Sequence, residues 1–425
     1  MDILIRDILA ITPDGAKVCS VGIRDGRILS VGDAPADFRA EKTIEGSGKM
    51  LLPGLVNAHT HAAMNVFRNS ADDLLFNDWL FGRVMPMEDK LCGEDCYWGT
   101  QLACLEMIAT GTTSFIDMYY FTDDVTRAVD ESGMRAVMSR GLSGDKSDPA
   151  TAEAKLREAV DVYEKWKGHP RITFMLAPHA PYTCDDGYMT EVGKTAKELG
   201  LGLHVHLSES LSEMDTIREG YGCTPIELAD RCGILTDRTV AAHCIQLSDS
   251  DIALIAARGT TVATNPVSNL KLANGVAPVP KLMAAGVNVA LGTDSAASNN
   301  ALNMFRDLAL LTLIHKGVNH DAQAVGAREG LTIASLNGAK AMGYDDLGEI
   351  RPGMRADLSV VDLDRPNLQP VNDPVASVAY SMNGSEIETV MVDGVILMEK
   401  GEFKTLDKER IYYEAGKVSD RVGAR

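Results

Sequence analysis

The chain has 425 residues, 45% of them hydrophobic and 24% charged, enough for a large buried core and more than one mid-sized domain usually holds. Its formal net charge of -19 opposes phosphate backbones and anionic lipid, which excludes nucleic acid and membrane surfaces as partners and favours a small uncharged or zwitterionic metabolite. No run reaches the ~18 uninterrupted apolar residues of a membrane span, and Met1-Asp2-Ile3-Leu4-Ile5-Arg6-Asp7 lacks the pattern of a secretory leader. The eight cysteines form no C-x-x-C pair, and Cys104, Cys223, Cys232 and Cys244 sit in apolar or helical surroundings. A cytoplasmic protein with reduced thiols is expected.

The first fifty residues read as strands Asp2–Thr12, Lys17–Arg24 and Arg27–Val31, with turns at Pro13-Asp14-Gly15 and Asp25-Gly26. Then short apolar strands alternate with amphipathic helices, the pattern of a parallel sheet with crossover helices. The candidate strands are Met50–Ala58, Thr113–Asp117, Arg135–Ser139, Ile172–Ala177, Leu201–Leu207, Thr239–His243, Thr260–Thr264 and Val287–Thr293. Helical stretches between them include Asp95–Ala109, Thr151–Trp166 and Asp185–Leu199. Eight alternations, with no G-x-G-x-x-G after the first strand, predict a closed (β/α)8 TIM-type barrel over an open dinucleotide-binding sheet. Strand texture returns in Ala356–Asp362 and Thr389–Met398, with a turn at Asp393-Gly394. The expected organisation is a barrel over 53–349, a smaller composite β-sandwich domain from 1–52 and 350–403, and a helical tail over 404–425.

Catalytic groups of such barrels lie at the C-terminal ends of the strands. Those ends are rich in imidazole and carboxylate here: Asn57-Ala58-His59-Thr60-His61, Ala177-Pro178-His179, His204-Val205-His206-Leu207-Ser208-Glu209, Ala242-His243-Cys244 and Gly292-Thr293-Asp294. A single histidine at a strand end is ordinarily structural. Several on different strands, with an aspartate, would be a costly buried set without a metal. Imidazole nitrogens and one carboxylate suit zinc, with iron as the alternative, in a site that keeps a position open for water. His204 shares a face with His206 but lies one pleat deeper, and is assigned to the barrel core.

The run Pro53-Gly54-Leu55-Val56-Asn57-Ala58-His59-Thr60-His61, followed by His206, His243 and Gly292-Thr293-Asp294, resembles the amidohydrolase superfamily. More narrowly the chain resembles the 5′-methylthioadenosine/S-adenosylhomocysteine deaminases. The likeness is carried by Asp78-Trp79-Leu80-Phe81, Pro86-Met87-Glu88-Asp89, Asp117-Met118-Tyr119, Pro178-His179-Ala180-Pro181-Tyr182, Asn265 to Leu272 and Gly292 to Asn300. It implies one divalent metal on His59, His61, His206 and Asp294. It also implies that His243 orients the attacking water, and that Glu209 moves that water's proton to the purine. Asp294 would share in proton transfer, and Glu88, Arg140, His179 and Glu209 would contact substrate. The expected reaction is hydrolysis of an adenine nucleoside to its inosine analogue and ammonia, in a homo-oligomer.

Two absences narrow this. The fourth strand, Ile172–Ala177, carries no lysine to bridge a second metal, so one is expected. The H-x-E and P-C-x-x-C signature of cytidine-type deaminases is missing. A departure bears on substrate: where relatives that bind homocysteine place a second arginine, the chain reads Gly144-Asp145-Lys146-Ser147-Asp148-Pro149. Lysine does not replace a bidentate guanidinium, so neutral nucleosides are expected to be preferred over S-adenosylhomocysteine. The alternative reading is deamination of guanine, a pterin or a triazine by the same metal site, for which Glu88 would be dispensable.

Overall fold

The computed structural model describes residues 1–424. Eight parallel strands follow one another in sequence order: β1 (Leu55–Thr60), β2 (Thr112–Tyr119), β3 (Arg135–Leu142), β4 (Ile172–Pro178), β5 (Gly202–Leu207), β6 (Thr239–His243), β7 (Thr261–Thr264) and β8 (Val289–Leu291). A bridge between Thr60 and Asp294 joins the last strand back to the first, with the Asp294 N–H donating to the His59 carbonyl at 2.9 Å. The Asn57 amide strengthens this seam, accepting from the Thr293 N–H at 2.9 Å and donating to its hydroxyl at 2.7 Å. Closure of the expected barrel therefore carries Asp294 to the histidines that end β1.

The helices form where local chemistry starts and stops them. Pro149–Trp166 begins at Asp148, whose carboxylate accepts from the Thr151 N–H at 3.1 Å. Asp186–Leu199 begins at Asp185, which accepts from the Tyr188 N–H at 2.7 Å, and ends at Gly200. Gly93–Ala109 extends the expected Asp95–Ala109 by two residues.

Two expected strands are corrected. Met50–Ala58 is not one element: Lys49–Pro53 pairs in a second sheet and Leu55–Thr60 in the barrel. Gly54 is the pivot, because a Cβ there would lie 2.1 Å from Thr113 Oγ1. Val287–Thr293 contracts to Val289–Leu291, since Gly292 presses against β1 and a Cβ on it would meet Asn265 Oδ1 at 2.3 Å.

The second sheet is mixed and nine-stranded, drawn from both ends of the chain. Lys49–Pro53 pairs antiparallel with Leu358–Asp362 and so joins the N-terminal strands Ile3–Thr12, Gly15–Arg24 and Arg27–Val31 to the C-terminal hairpin Ile387–Val392 and Val395–Glu399. Ile3, Ile5, Ile8, Val21, Ile23, Leu358, Val360 and Met391 share one apolar core. The short strand Lys42–Glu45, absent from the sequence reading, buries only Ile44. Arg135, at the start of β3 and fully buried, pairs with Asp357 at 2.8 Å and Asp393 at 2.7 Å and ties this sheet to the barrel.

The chain ends in a helix, Lys408–Val422. Its last carbonyls accept from Lys90 Nζ at Val422 (2.8 Å) and from Arg83 at Gly423 (3.0 Å). All eight cysteines are free, and Cys104, Cys223, Cys232 and Cys244 are buried. Among the described residues no helix is long and apolar enough to cross a membrane.

Candidate active site

The strand ends converge on one point. The register of β1 slips between Asn57 and Thr60, so simple alternation does not describe its end, yet His59 and His61 both reach Asp294. Their Nε2 atoms lie 3.5 and 3.4 Å from Asp294 Oδ1. From β5, His206 Nε2 lies 3.2 Å from His61 Nε2. His59, His206 and His243, and likewise His59, His61 and Asp294, bring one donor atom each within 4.8 Å of one another. Non-glycine residues in left-handed backbone mark these ends: Ser208 (φ 51°), His243 (φ 71°) and Asp294 (φ 64°). Such conformations are held only where surrounding packing imposes them, commonly at functional sites.

The second nitrogen of each ring shows what the first can do. His61 Nδ1 faces the Met118 carbonyl at 2.6 Å and His206 Nδ1 the His179 carbonyl at 2.7 Å. A carbonyl only accepts, so both Nδ1 atoms carry the hydrogen and both Nε2 atoms, in neutral rings, carry lone pairs. Two lone pairs 3.2 Å apart repel unless a cation lies between them. His59 Nε2 is buried with no hydrogen-bond partner, although buried polar atoms are nearly always paired. The donor set fits a divalent cation of the zinc class.

The carboxylates differ in environment. Burial alone would raise Asp294, but the imidazoles around it, His59 foremost, hold its carboxyl well below the ordinary range. The other oxygen, Oδ2, accepts from the Ser268 hydroxyl at 2.6 Å and the Ser298 hydroxyl at 2.8 Å, leaving Oδ1 to the histidines. Burial, reinforced by the Asp294 charge, pushes Glu209 up to about 8. Glu209 Oε1 accepts from Asn274 Nδ2 at 3.2 Å and lies 3.9 Å from His243 Nε2, while Asn269 Oδ1 lies 2.8 Å from His243 Nδ1. Glu213, also buried, accepts from the N–H groups of Ser208 and Glu209 at 3.1 and 2.7 Å and fixes the backbone that aims Glu209.

A cavity opens over this cluster. His61, His206, His243, Asp294 and Glu209 form its floor, and Glu88, His179, Trp79, Leu80, Tyr119, Tyr120 and Tyr182 line its walls. Burial lowers His179 to about 3, so it is neutral near pH 7. The cations next to Glu88 in sequence do not pair with it: Arg83 donates to the Ser70 and Gly423 carbonyls, and Lys90 to Val422. Arg140 does not line the cavity. It donates to Glu158 Oε2 at 2.8 Å and to the Gly141 carbonyl at 2.8 Å, and Lys146 is exposed and pairs with Asp186 at 3.0 Å.

Sequence reasoning gave no role to Ser268, Ser298, Asn269, Asn274, Tyr182 or Glu213. Several lie in the quoted motifs, but only the fold shows which of them touch Asp294, His243 and Glu209. His204, assigned to the barrel core, is fully buried and places its Nε2 2.8 Å from His59 Nδ1.

Comparison with known proteins agrees with this geometry. The Amidohydrolase family profile matches residues 50–397. A 5-methylthioadenosine/S-adenosylhomocysteine deaminase of Caldanaerobacter subterraneus subsp. tengcongensis is 43% identical over 99% of each chain. A 5′-deoxyadenosine deaminase of Methanosarcina mazei is 41% identical over 100% of this chain and 99% of its own. The crystal structure of an adenosine deaminase from Xanthomonas campestris with bound zinc superposes with a TM-score of 0.95 at 32% identity, covering 100% of this chain and 99% of that one. With the match running through nearly all of the barrel and the metal-type cluster at its mouth, the chain belongs to the amidohydrolase family.

Proposed function

We propose that the chain hydrolyses the 6-amino group of an adenine nucleoside, such as 5′-methylthioadenosine, 5′-deoxyadenosine, adenosine or S-adenosylhomocysteine, to give the inosine analogue and ammonia. The observation that carries this is Glu88, a carboxylate without a cation, set in the wall of the same cavity whose floor holds the histidine–aspartate cluster. A carboxylate so placed accepts hydrogen bonds from neighbouring ribose hydroxyls while the aromatic walls take the purine. The full-length likeness to proteins named as deaminases of such nucleosides supports the same reading.

His59, His61, His206 and Asp294 would hold one zinc ion, each histidine through Nε2. When bound, the metal supplies Lewis acidity that makes water nucleophilic near neutral pH. The chain's own groups do the rest. His243 presents its Nε2 beside Glu209, with Nδ1 engaged by Asn269, and orients the water toward C6. Glu209, whose carboxyl a nearby divalent charge would keep ionised, takes a proton from the water and places it on the ring nitrogen next to C6. Asp294 relays the second water proton to the amine as the C6–N bond breaks, so water and nucleoside become the 6-oxo product and ammonia. His179 offers a neutral polar contact to the substrate.

Arg140 was expected on the substrate tail, and its pairing with Glu158 leaves the cavity without an arginine for a homocysteine carboxylate. Neutral nucleosides are therefore the preferred class. Zinc-loaded enzyme is to be assayed with the four nucleosides, adenine, guanine and a pterin. Conversion of nucleosides with release of ammonia supports the reading, and turnover of free bases alone overturns it. Eight free thiols suit a reducing compartment, and we place the enzyme in the cytoplasm. Sedimentation velocity tests the expected homo-oligomer.

A further inference from the structure

His59 differs from the other candidate ligands in what holds its outer nitrogen. The Nδ1 atoms of His61 and His206 face backbone carbonyls, which fix their tautomers outright. His59 Nδ1 faces another imidazole, His204 Nε2, at 2.8 Å. A histidine can give or accept a hydrogen there, so the partner alone decides nothing.

The decision comes from two strands away. Ser139 Oγ on β3 lies 2.6 Å from the Asp117 carbonyl of β2, which can only accept, so the serine hydrogen is committed to it. What Ser139 has left is lone pairs, and they meet His204 Nδ1 at 3.4 Å. His204 Nδ1 therefore carries a hydrogen. His204 is fully buried, and its hydrogen-bond partners are a hydroxyl and an imidazole, so a charged ring there would be costly and the neutral one has its lone pair on Nε2. His59 must then donate from Nδ1, which leaves its Nε2 bare, unpartnered and turned to Asp294. The reverse order would put a hydrogen on His59 Nε2 and pull the Ser139 hydroxyl off the Asp117 carbonyl.

We propose that His204 is a positioning residue that presets His59 as a metal donor, relaying the polarity of the Asp117 carbonyl through Ser139 across strands β2, β3 and β5. This rests on His59 being a metal ligand, and it gives the buried histidine of H-x-H-x-x-E a task beyond packing. Partners one shell outside a metal typically change its affinity by about 10- to 100-fold.

The test compares His204→Leu with His204→Gln, whose amide oxygen can still accept from His59. Zinc dissociation constants are measured by chelator competition, with circular dichroism confirming the fold. His204→Leu is expected to weaken zinc binding by about 10- to 100-fold, with His204→Gln restoring most of the loss. A folded His204→Leu protein binding zinc within about threefold of the parent, or a glutamine variant no better than leucine, overturns the proposal. Should the leucine variant not fold, the parent decides: long-range 1H–15N spectra of the zinc-loaded, 15N-histidine-labelled chain must show His204 with its hydrogen on Nδ1, and a hydrogen on Nε2 refutes the relay. Failure of the underlying metal reading is seen separately, as His59→Ala leaving zinc affinity unchanged.

Discussion

Replacing Glu88 by alanine separates a nucleoside enzyme from one that acts on free bases. The carboxylate faces the cavity, and Arg83 and Lys90 are engaged with carbonyls instead, so neither flanking cation competes with substrate hydroxyls for it. Hydrogen bonds to a charged group contribute about 1.5–3 kcal/mol each, so two amount to about 3–6 kcal/mol. Glu88 is only half-buried, and water entering the truncated site offsets part of this, leaving a net loss of roughly 2–4 kcal/mol. At about 1.36 kcal/mol per tenfold, kcat/KM for 5′-methylthioadenosine falls by roughly 30- to 1,000-fold. The assay follows loss of adenine-type absorbance, with 2′-deoxy and 3′-deoxy substrates run on both proteins. In the parent each missing hydroxyl slows the reaction, and in Glu88→Ala that penalty disappears. Activity within about threefold of the parent, or a deoxy penalty that persists unchanged, refutes the assignment and revives guanine, pterin or triazine as substrate.

Glu209→Gln is expected to lower kcat by roughly 100- to 10,000-fold with full zinc content, and a variant that loses zinc instead would recast Glu209 as a metal-site residue. Arg140→Gln, which breaks the Glu158 ion pair and the hydrogen bond to the Gly141 carbonyl, is expected to leave kcat/KM for 5′-deoxyadenosine within about threefold; a larger fall would place the guanidinium on the substrate after all. His315, buried on the helix Met304–Asn319, is lowered to about 4 by desolvation. Its folded value lies below the unfolded one of about 6.5, so its neutral ring contributes stability that is present above about pH 6.5 and lost as pH falls toward 4. Urea melts near about pH 7 and about pH 4.5 are expected to show this loss shrinking by on the order of 2 kcal/mol in His315→Leu, and an unchanged acid slope would exclude the histidine as its source.

The barrel was legible in its eight strand–helix alternations, and the site in four strand ends whose chemistry packing does not require. His59 and His61 end one strand and His206, His243 and Asp294 three others, and the fold gathers them as those positions imply. What was not legible lies at distances only closure creates. Met50–Ala58 looks like one apolar strand, and nothing local shows that Gly54 must pass so close to Thr113 that the strand divides between two sheets. Lys42–Glu45 has too little alternation to stand out, with one buried side chain in four residues. Arg140 was read as a substrate contact, and its partner is Glu158, on the helix that follows its strand. That the cations flanking Glu88 do not neutralise it is shown only by the C-terminal helix, more than three hundred residues away, where both are engaged.

That helix gives the far end of the chain a hold on the cavity wall. Arg83 and Lys90, which flank Glu88, both anchor on the carbonyl end of Lys408–Val422, where a helix favours cations. Shortening the chain by its last turns would free Lys90, leave Arg83 held only at the Ser70 carbonyl, and keep the histidine floor where the barrel puts it. The enzyme would then keep its chemistry and lose its grip, with KM rising for every nucleoside while zinc content and kcat hold. Two tasks would thereby be divided along the sequence: the strand ends would set what reaction occurs, and the final helix would steady the wall that decides what is admitted to it.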